Sequence, residues 1–475
     1  MSSLKQKTIS GFIWDLGGLI FSQVISFVIS IILARLLQPS DYGLLAMSGV
    51  FVFIFNIFID VGFSSALIQR NDNTNLTYSS IFYINIFSSI VIFFLLQFAA
   101  PYIGAFYKND KIIDIVRLIS FLLPIGALSN VQNTILNKEM NFSFLTKRNL
   151  ISQLFGGVVG VIAAFNGYGV YSLIISSFAS QILSTIMIWS VSTWKPDFKF
   201  SMAEVRKVFK FSLYVFLVTF TGKIFTQLNS LFIGKLFSSS TLGFYNMAVG
   251  VRDRVSTLTS SSTKKVLFPV MSSLKDHDEK FIYVYNKAIN IICFFSFLII
   301  GVIYFWCDAL ITICYGMKWL ASIPILKVLI LTAILTPIGS LMVDALISKG
   351  FAKENFVLDS IKKVTAIMVL LSGYFFGFQI MMYTFLLQTF LNIILNIIYL
   401  KIYLDFPLKE VVLKMIYQVL IITLCIVLYE NLTMSSYILK DLIFSVIYFA
   451  VYITYQYLFE KDNFKYIFGM FKSFI

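Results

Sequence analysis

The sequence predicts an all-α polytopic membrane protein with about fourteen transmembrane helices. Long apolar segments recur along the chain, and each is close to the ~20 residues that cross a hydrocarbon core as a helix. Apolar residues make up 59% of the 475 residues and charged residues only 13%. A soluble domain carries about twice that charged share, so a soluble globular protein is excluded.

The predicted spans follow one another along the whole chain and are joined by short loops. In order they cover residues 9–37, 42–69, 79–105, 112–137, 149–165, 168–193, 208–237, 241–271, 283–305, 321–347, 355–377, 379–404, 408–430 and 437–459. The first span is too long for the core of a signal peptide and lacks a small-residue cleavage site. No loop is long enough to hold a soluble catalytic domain.

The loops alternate between rich and poor in lysine and arginine. Of the 37 basic residues, we assign 26 to one side of the membrane, 7 to the other side and 4 to the interior of spans. The positive-inside rule therefore places both termini in the cytoplasm and favours an even number of spans. The same rule accounts for the net charge of +14, and no nucleic-acid-binding motif accompanies it.

An internal repeat relates two parts of the chain at an offset of 200 residues. The stretch Ala34–Met47 resembles Gly234–Met247, with identical residues at the leucine, glycine and methionine positions 36/236, 43/243 and 47/247. Each stretch ends one span and opens the next. The repeat predicts two parallel six-helix lobes related by a pseudo-two-fold axis along the membrane normal, with a substrate site between them. The predicted regions are the lobes 1–200 and 201–405, followed by 406–475 with two accessory spans and a cytoplasmic tail.

Polar residues inside the membrane concentrate on single faces of spans 1, 2, 7 and 8. Their helical spacing predicts that these faces line water or another helix, because lipid would leave them unsatisfied. Span 8 presents Arg252, Ser256, Thr259 and Thr263; span 7 presents Lys223, Gln227, Ser230 and Gly234; span 1 presents Asp15, Gly18, Ser22, Ser26 and Ser30; span 2 presents Asn56, Asp60 and Ser64.

Intramembrane charges mark functional sites by default, and two interpretations apply here. In the first, Lys223, Arg252 and Arg254 form a cationic cavity wall that binds an anionic group such as a phosphate. In the second, they form internal ion pairs through Asp253 or extend to an interface. Asp60 and Asp15 are the candidate proton or cation carriers, and an interfacial role is an equal alternative for Asp15.

The chain shows no signature of catalysis, and we expect neither a cofactor nor a metal site. The single histidine, His277, lies in the polar run KDHDEK of a cytoplasmic loop, and no metal-ligand spacing or P-loop is present. Cys307 and Cys314 flank a predicted outer loop. On a helix they would lie about 10 Å apart, beyond the ~7 Å limit for a disulfide, so free thiols are expected.

Four segments resemble a known family of membrane transporters. They are GFIW at 11–14, ILARLLQPSDYGLLAM at 32–47, FIDVGFSSALIQR at 58–70 and VLFPVMSSLK at 266–275. Together they resemble the polysaccharide transporter branch of the multidrug/oligosaccharidyl-lipid/polysaccharide exporter superfamily. Within that branch the chain is most similar to Wzx-type flippases for O-antigen, capsule or teichuronic acid repeat units.

The resemblance implies a two-lobed helical transporter of the bacterial inner membrane, with spans 1, 2, 7 and 8 around its cavity. It implies a polyprenyl-diphosphate-linked oligosaccharide as substrate, moved from the inner to the outer leaflet by alternating access. Lys223, Arg252 and Arg254 would hold the diphosphate. Membrane lipids, a polysaccharide polymerase and glycosyltransferases are the implied partners, and nucleic acid is not. The expected cavity-lining residues are Gln227, Ser230, Ser256, Thr259, Ser22, Ser26 and Asn56.

Three alternatives remain at this point. A drug or organic-cation antiporter of the same superfamily predicts a more acidic cavity, because organic cations need carboxylate partners. A membrane polysaccharide polymerase or ligase predicts a large outer loop with catalytic side chains, whereas the longest outer connection, about 306–320, holds only Asp308 and Lys318 as charged residues. A non-transporting scaffold would not need the polar faces inside four spans.

Overall fold

In the computed structural model of the protein, the described part of the chain is built from helices and the turns that join them. The structure describes the backbone of residues 2–404, 406, 409–432, 437–461 and 463–466, and the side chains of this set except 2–16, 258–266 and 437. No β-strand occurs within these ranges. The predicted all-α fold is confirmed.

The helices follow the apolar segments of the sequence. They are α1 Ser2–Leu36, α2 Pro39–Asp60, α3 Phe63–Gln69, α4 Asn75–Tyr107, α5 Lys111–Ser120, α6 Leu122–Lys138, α7 Phe142–Phe165, α8 Val170–Val191, α9 Met202–Leu236, α10 Ser239–Ser273, α11 Asp278–Phe295, α12 Gly301–Phe305, α13 Cys307–Ala309, α14 Ile323–Ser348, α15 Ala352–Phe376, α16 Phe378–Leu404, α17 Lys409–Asn431 and α18 Tyr437–Phe459. Two π-helical segments, Ser296–Ile300 and Leu310–Tyr315, and the 3₁₀ segment Met317–Ser322 lie between α11 and α14.

In the described part of the chain, twelve helical segments are long and apolar enough to cross a membrane. The protein is therefore a multi-pass membrane protein. The two remaining predicted spans correspond to α10 and α15. Both are long helices, but α10 carries Arg252, Asp253 and Arg254, and α15 has five charged residues in its first half. The predicted count of fourteen spans stays a prediction.

The chain forms two compact units, Met1–Asn246 and Met247–Ile475. The first unit includes α9, which packs on α2, α3 and α4. The internal repeat assigns α9 to the second lobe instead. The lobe boundaries at residues 200 and 405 stay a prediction.

Within the first unit, α1, α7 and α8 pack through small residues. An added Cβ at Gly160 would lie 2.6 Å from the Cβ of Ser176, and one at Gly156 would lie 2.6 Å from that of Ser180. Gly157 likewise makes room for the side chain of Ile29 on α1. Close approach through small residues is the usual way that membrane helices pack, because lipid supplies no hydrophobic driving force between them.

The helix bounds agree with the internal repeat. α1 and α9 end at Leu36 and Leu236, and α2 and α10 begin at Pro39 and Ser239, each pair 200 residues apart. The repeated glycines form a reciprocal contact. An added Cβ at Gly43 would overlap the carbonyl oxygen of Ser239, and one at Gly243 would overlap the carbonyl oxygen of Pro39. The starts of α2 and α10 thus touch backbone to backbone.

The second unit is organised around α14, which belongs to the most extensively buried of the described spans. The π-helical turn at 296–300 packs against α18 and interrupts the regular backbone ladder. Tyr448 on α18 donates a hydrogen bond to the carbonyl of Phe297 at 2.7 Å, and Tyr452 donates to that of Phe294 at 3.1 Å. Gly301 leaves room for the ring of Tyr448, since an added Cβ would overlap it.

A polar network fastens the two C-terminal helices to the rest of the second unit. The hydroxyl of Tyr429 on α17 lies 2.6 Å from Asp308 Oδ2 and 2.6 Å from Asp441 Oδ1 on α18. Lys327 on α14 lies 3.0 Å from Asp308 Oδ2 and 3.0 Å from Glu430 Oε1. Both accessory helices are therefore held by buried polar contacts as well as by apolar packing.

The four cysteines carry thiols and form no disulfide within the described residues. Cys293, Cys307 and Cys425 are buried, and Cys314 is half-buried. The thiols expected at Cys307 and Cys314 are thus confirmed.

Candidate functional site

A polar cavity of about 800 Å³ lies inside the first unit, among α1, α2, α5, α6, α7 and α8. That volume falls within the ~300–1,000 Å³ typical of small-molecule sites. Amides and hydroxyls form most of the lining, and among the described residues Arg148 is its single ionisable side chain. The polar lining residues are Ser22, Asn56, Ser129, Asn130, Asn133, Arg148, Asn149, Ser152, Gln153, Ser177, Ser180, Gln181 and Ser184.

Helical periodicity brings these polar side chains to one cavity. Polar residues three, four or seven positions apart share a helical face. This spacing occurs on α6 at 129, 130 and 133, on α7 at 149, 152 and 153, and on α8 at 177, 180, 181 and 184. The glycine contacts between α7 and α8 hold the two helices close together, so that their polar faces line the same space.

Arg148 is buried in this cavity wall, with only 8% of its surface exposed. Its Nη2 donates to Asn149 Oδ1 at 2.8 Å, its Nε donates to the same oxygen at 3.3 Å, and its Nη1 donates to Asn133 Oδ1. These partners are neutral amides, and no ion pair of Arg148 occurs within the described ranges. Its positive charge is therefore hydrogen-bonded but not neutralised by this part of the protein.

A second cavity of about 440 Å³ continues the first toward the end of α1. The two share Gln153, Ser177, Ser180 and Gln181. Along α7 the polar lining runs from Arg148 to Gly157, which corresponds to about 14 Å at ~1.5 Å per residue. The first unit thus contains an elongated polar track inside a membrane-spanning helix bundle.

Lys223 does not line the first cavity but contacts a residue that does. Its ammonium group is 5.1 Å from the ring centroid of Phe53, and Phe53 lines the cavity. This distance is within the range of a cation–π interaction. Lys223 also lies within electrostatic range of the carboxyl group of Asp60. One of the three predicted cationic residues therefore stands beside the polar cavity of the first unit.

Asp60 has a clear local structural role. The chain turns between α2 and α3 at Val61 and Gly62, whose φ angles are 46° and 79°. Asp60 accepts hydrogen bonds from the backbone N–H of Ser64 at 3.1 Å and from its hydroxyl at 2.8 Å. It thus satisfies a free N–H at the start of α3. If Asp60 also takes part in ion coupling, the same carboxyl group has to serve both that role and the hydrogen bonds to Ser64.

Arg252 and Arg254 lie on α10 in the second unit. Arg252 pairs with the adjacent Asp253, with Nη2 at 2.6 Å and Nε at 2.9 Å from Asp253 Oδ1. This is the ion pair that the second interpretation of these charges expects. Arg252 retains further N–H donors, since a guanidinium has five. Arg254 is half-buried and its Nη1 lies near Gly250.

The other predicted residues fall into three groups. Ser22 and Asn56 line the first cavity and Ser26 lines the second, and the Ser22 hydroxyl donates to Gln153 Oε1 at 2.8 Å. Gln227 and Ser230 on α9 and Ser256 on α10 are half-buried and line neither cavity. The side chains of Asp15 and Thr259 lie outside the described residues.

The residues that form most of the cavity were not predicted from the sequence. Counting loop charges places Arg148 with Lys147 outside the spans, but α7 begins at Phe142 and so contains both. The amides of α6, α7 and α8 are neutral, so a search for intramembrane charges does not find them. The sequence does contain a signal for them, because polar residues three or four positions apart recur in three consecutive spans.

Comparison with known proteins gives a consistent result. Residues 32–324 match the family model described as polysaccharide biosynthesis protein. A curated relative, the teichuronic acid biosynthesis protein TuaB of Bacillus subtilis (strain 168), is 26% identical over 363 residues, which cover 76% of this chain and 75% of the relative. The resemblance to the polysaccharide transporters is thereby confirmed.

Two solved structures share the fold. The lipid II flippase MurJ in an inward closed conformation aligns with a TM-score of 0.69 at 17% identity, covering 94% of this chain and 99% of MurJ. An inward-facing multidrug resistance transporter of the MATE family aligns with a TM-score of 0.65 at 14% identity, covering 84% of this chain and 99% of the transporter. At these identities the likeness establishes the fold alone.

Proposed function

This chain belongs to the polysaccharide biosynthesis protein family, and on that premise we propose that it is a flippase for polyprenyl-diphosphate-linked oligosaccharide units. It would move them from the inner to the outer leaflet of a bacterial inner membrane, with both termini in the cytoplasm. Two similar proteins support this proposal: TuaB, which is named for teichuronic acid biosynthesis, and MurJ, which is named as a lipid II flippase.

The observation that carries the proposal is the charge of the cavity. Its only ionisable lining residue in the described part of the chain is the basic Arg148, and Lys223 contacts the lining residue Phe53. Of the two predicted carboxylates, Asp60 is held by Ser64 at the start of α3, and the side chain of Asp15 lies outside the described residues. A transporter of organic cations needs carboxylates in its binding site, whereas a lipid diphosphate needs cations. The charge therefore favours an anionic substrate.

We assign the diphosphate to Lys223, Arg252 and Arg254. Arginine suits phosphate oxygens because its planar fork donates two parallel hydrogen bonds, and lysine acts as a point charge. The polyprenyl tail stays in lipid while the two lobes expose the site to each side in turn. Asp60 is the proposed carrier of a coupling ion, with Asp15 as the second choice. In this role the protein transports its substrate without changing it chemically.

A drug antiporter is the competing function, because a MATE-family transporter has the same fold. The fold is therefore compatible with both functions. The sign of the charged side chains in the binding site is the feature that distinguishes an anionic substrate from a cationic one.

The proposal is tested in a strain that lacks the gene, by measuring its lipid extract, its surface glycan and its tolerance to cationic drugs. We expect diphosphate-linked oligosaccharide to accumulate and surface polymer to be lost. Wild type should restore both, whereas Lys223→Ala and Arg252→Ala should not. Lys147→Gln, which changes an exposed residue outside the cavity, should restore both and serves as the matched control.

Unchanged surface glycan together with a new sensitivity to cationic drugs would contradict the flippase and support the antiporter. Restoration by Lys223→Ala and Arg252→Ala at wild-type levels would retain the flippase but remove the proposed diphosphate site.

A further inference from the structure

The tyrosine that joins α17 to α13 and α18 has fewer hydrogens than its contacts require. Its hydroxyl oxygen lies 2.6 Å from Asp308 Oδ2 and 2.6 Å from Asp441 Oδ1, and both distances are hydrogen-bond lengths. A tyrosine hydroxyl has one hydrogen to donate, and an ionised carboxylate only accepts. Two ionised carboxylates would therefore leave one contact without a hydrogen. One of the two aspartates has to carry a proton and donate it to Tyr429.

We propose that Asp441 carries this proton at neutral pH, and that the proton makes the attachment of α17 and α18 sensitive to pH. Asp441 then donates from Oδ1 to the Tyr429 oxygen, and Tyr429 donates to Asp308 Oδ2. Loss of the proton would set two carboxylates against one hydroxyl and loosen α18 from α13 and α17. The inference does not depend on what the protein transports. On the topology predicted from the loop charges, these residues lie near the outer surface, so the attachment would respond to acidity outside the cell.

The surroundings of the two aspartates place the proton on Asp441. Asp308 Oδ2 lies 3.0 Å from the ammonium group of Lys327, which stabilises an ionised Asp308. Asp441 is fully buried, where a second ionised carboxylate beside Asp308 would be costly. Its other oxygen, Oδ2, accepts the backbone N–H of Ala309 at 3.0 Å, so a protonated Asp441 uses both of its oxygens.

The charges around the tyrosine balance when one proton is present. Lys327 Nζ lies 3.0 Å from Glu430 Oε1 as well as from Asp308, and Lys440 Nζ lies 4.2 Å from the centroid of the Tyr429 ring. With both aspartates ionised, these residues would carry three negative charges against two positive ones. The proton leaves two of each, which is the balance expected of a buried polar network.

Two other titratable side chains face this network, and neither is charged at neutral pH. The ring of Tyr304 lies 5.9 Å from Lys327 Nζ, and Cys307 precedes Asp308 in α13. Tyrosine and cysteine ordinarily ionise at about pH 10 and about pH 8.5, and glutamate is already ionised above about pH 5. Between about pH 5 and pH 8, the aspartate proton is therefore the one whose loss changes the charge of the network.

The sign of the pH dependence follows from counting protons. In the unfolded chain an aspartate ionises at about pH 3.9, so it holds no proton at neutral pH. The folded protein then holds one proton more than the unfolded chain, and its stability falls as pH rises. For one proton, the unfolding equilibrium constant rises by up to about tenfold per pH unit. The dependence ends at the pH where the folded protein itself releases the proton.

The test compares purified full-length wild type with Asp441→Asn in one detergent, by infrared spectroscopy and by unfolding between about pH 5 and pH 8. An asparagine keeps a donor for Tyr429 and an oxygen for the N–H of Ala309, but has no proton to release. We expect wild type to show the C=O band of a protonated carboxyl at neutral pH that Asp441→Asn lacks. The unfolding constant of wild type should rise more steeply with pH, by up to about tenfold per unit.

Glu410→Gln is the matched control, because it also removes a carboxylate but from an exposed position at the start of α17. It should keep both the infrared band and the pH dependence of wild type. An Asp441→Asn variant with the band and the pH dependence of wild type would overturn the inference.

A second variant keeps the test decisive if Asp441→Asn does not fold. Asp308→Asn retains an oxygen that accepts from Tyr429 and leaves the proton on Asp441, so the infrared band should remain. Loss of the band in Asp308→Asn would place the proton on Asp308 and overturn the assignment.

Hydrogen exchange tests the attachment of α18 directly. Backbone exchange in the first half of α18 is compared between wild type and Asp441→Asn at each pH, so that the intrinsic pH dependence of exchange cancels. We expect exchange in wild type to accelerate relative to the variant as pH rises, by up to about tenfold per unit. A ratio that stays constant from about pH 5 to pH 8 would mean that the attachment does not respond to pH.

Discussion

Lys147 and Arg148 are neighbours in the sequence but occupy different environments. Lys147 is exposed, whereas Arg148 is buried in the wall of a polar cavity. The sequence predicts that both residues lie in a loop, because both precede the apolar segment that begins at residue 149. The helix begins at Phe142, six residues before Arg148, so the Cα atom of Arg148 lies about 9 Å beyond the helix start at ~1.5 Å per residue. Side-chain direction on the helix then decides which one faces the cavity.

Lys223 provides a test of the cationic site at the level of one charge. Lys223→Gln should lower transport of the lipid-linked unit by about tenfold or more, because a charge-assisted contact to phosphate is lost. Lys223→Arg should retain most of the activity, since an arginine can still lie over Phe53 and bind phosphate. The measurement is restoration of surface glycan in the deletion strain at matched protein levels.

Lys210→Gln on the same helix is the control, because Lys210 is exposed and lines neither cavity. Full activity of Lys223→Gln would remove Lys223 from the site.

Asp60 combines a structural role with a proposed coupling role, and two substitutions separate them. Asp60→Asn keeps an oxygen that accepts from the Ser64 N–H, so thermal stability should change little. If Asp60 carries the coupling ion, this variant should lose gradient-driven transport. Asp60→Ala should additionally lose about 1 kcal/mol of stability, because the N–H at the start of α3 is left without its acceptor.

These effects are read from thermal unfolding of the purified variants and from transport with and without an imposed proton or sodium gradient. A variant Asp60→Asn with normal gradient dependence would leave Asp60 with its structural role only.

At the scale of helices, the repeated glycines make the contact between α2 and α10. Gly43→Ala and Gly243→Ala should each destabilise the protein by about 1–3 kcal/mol or more, because the added Cβ meets a backbone carbonyl that a rotamer change does not move. Gly49→Ala on α2 is the control, since nothing lies within 4 Å of its added Cβ. Thermal unfolding of the purified proteins in one detergent measures all three. Wild-type stability of Gly43→Ala would contradict the reciprocal contact.

The accessory helices depend on the hydroxyl of Tyr429. Tyr429→Phe leaves Asp308 and Asp441 without their shared partner, and Asp441 is fully buried. We expect a loss of about 1–3 kcal/mol, the cost of a buried polar group left unsatisfied. Tyr417→Phe, at an exposed position on the same helix, should cost much less. Equal melting temperatures for the two variants would mean that the network does not hold α17 and α18.

Helix positions and the repeat were largely predictable, because apolar length and the spacing of 200 residues are properties of the chain itself. The break at Val61–Gly62 was not predicted, since span 2 reads as one continuous apolar segment. The polar cavity was not predicted either. Periodicity shows which residues share a face of α6, α7 or α8, but not that these faces meet. That depends on tertiary contacts such as those of Gly156 and Gly160 with α8.

At the scale of the whole molecule, the fold leaves the function open. A lipid II flippase and a multidrug transporter both align over most of the chain. What favours one of them in this protein is the sign of charge in the first unit: Arg148 lines the cavity, Lys223 contacts the lining residue Phe53, and Asp60 accepts hydrogen bonds from Ser64 at the start of α3. The positive charge in the first unit, and not the fold, therefore favours the flippase over the drug transporter.

The most direct test of the central claim is translocation by the purified protein in liposomes. A polyprenyl-diphosphate-linked oligosaccharide is placed in one leaflet, and its arrival in the other is followed with a sugar-modifying enzyme that does not cross the membrane. We predict protein-dependent translocation that falls in Lys223→Gln and is retained in Lys210→Gln. Protein that leaves this lipid in place but exchanges an organic cation for protons in the same liposomes would contradict the proposed function.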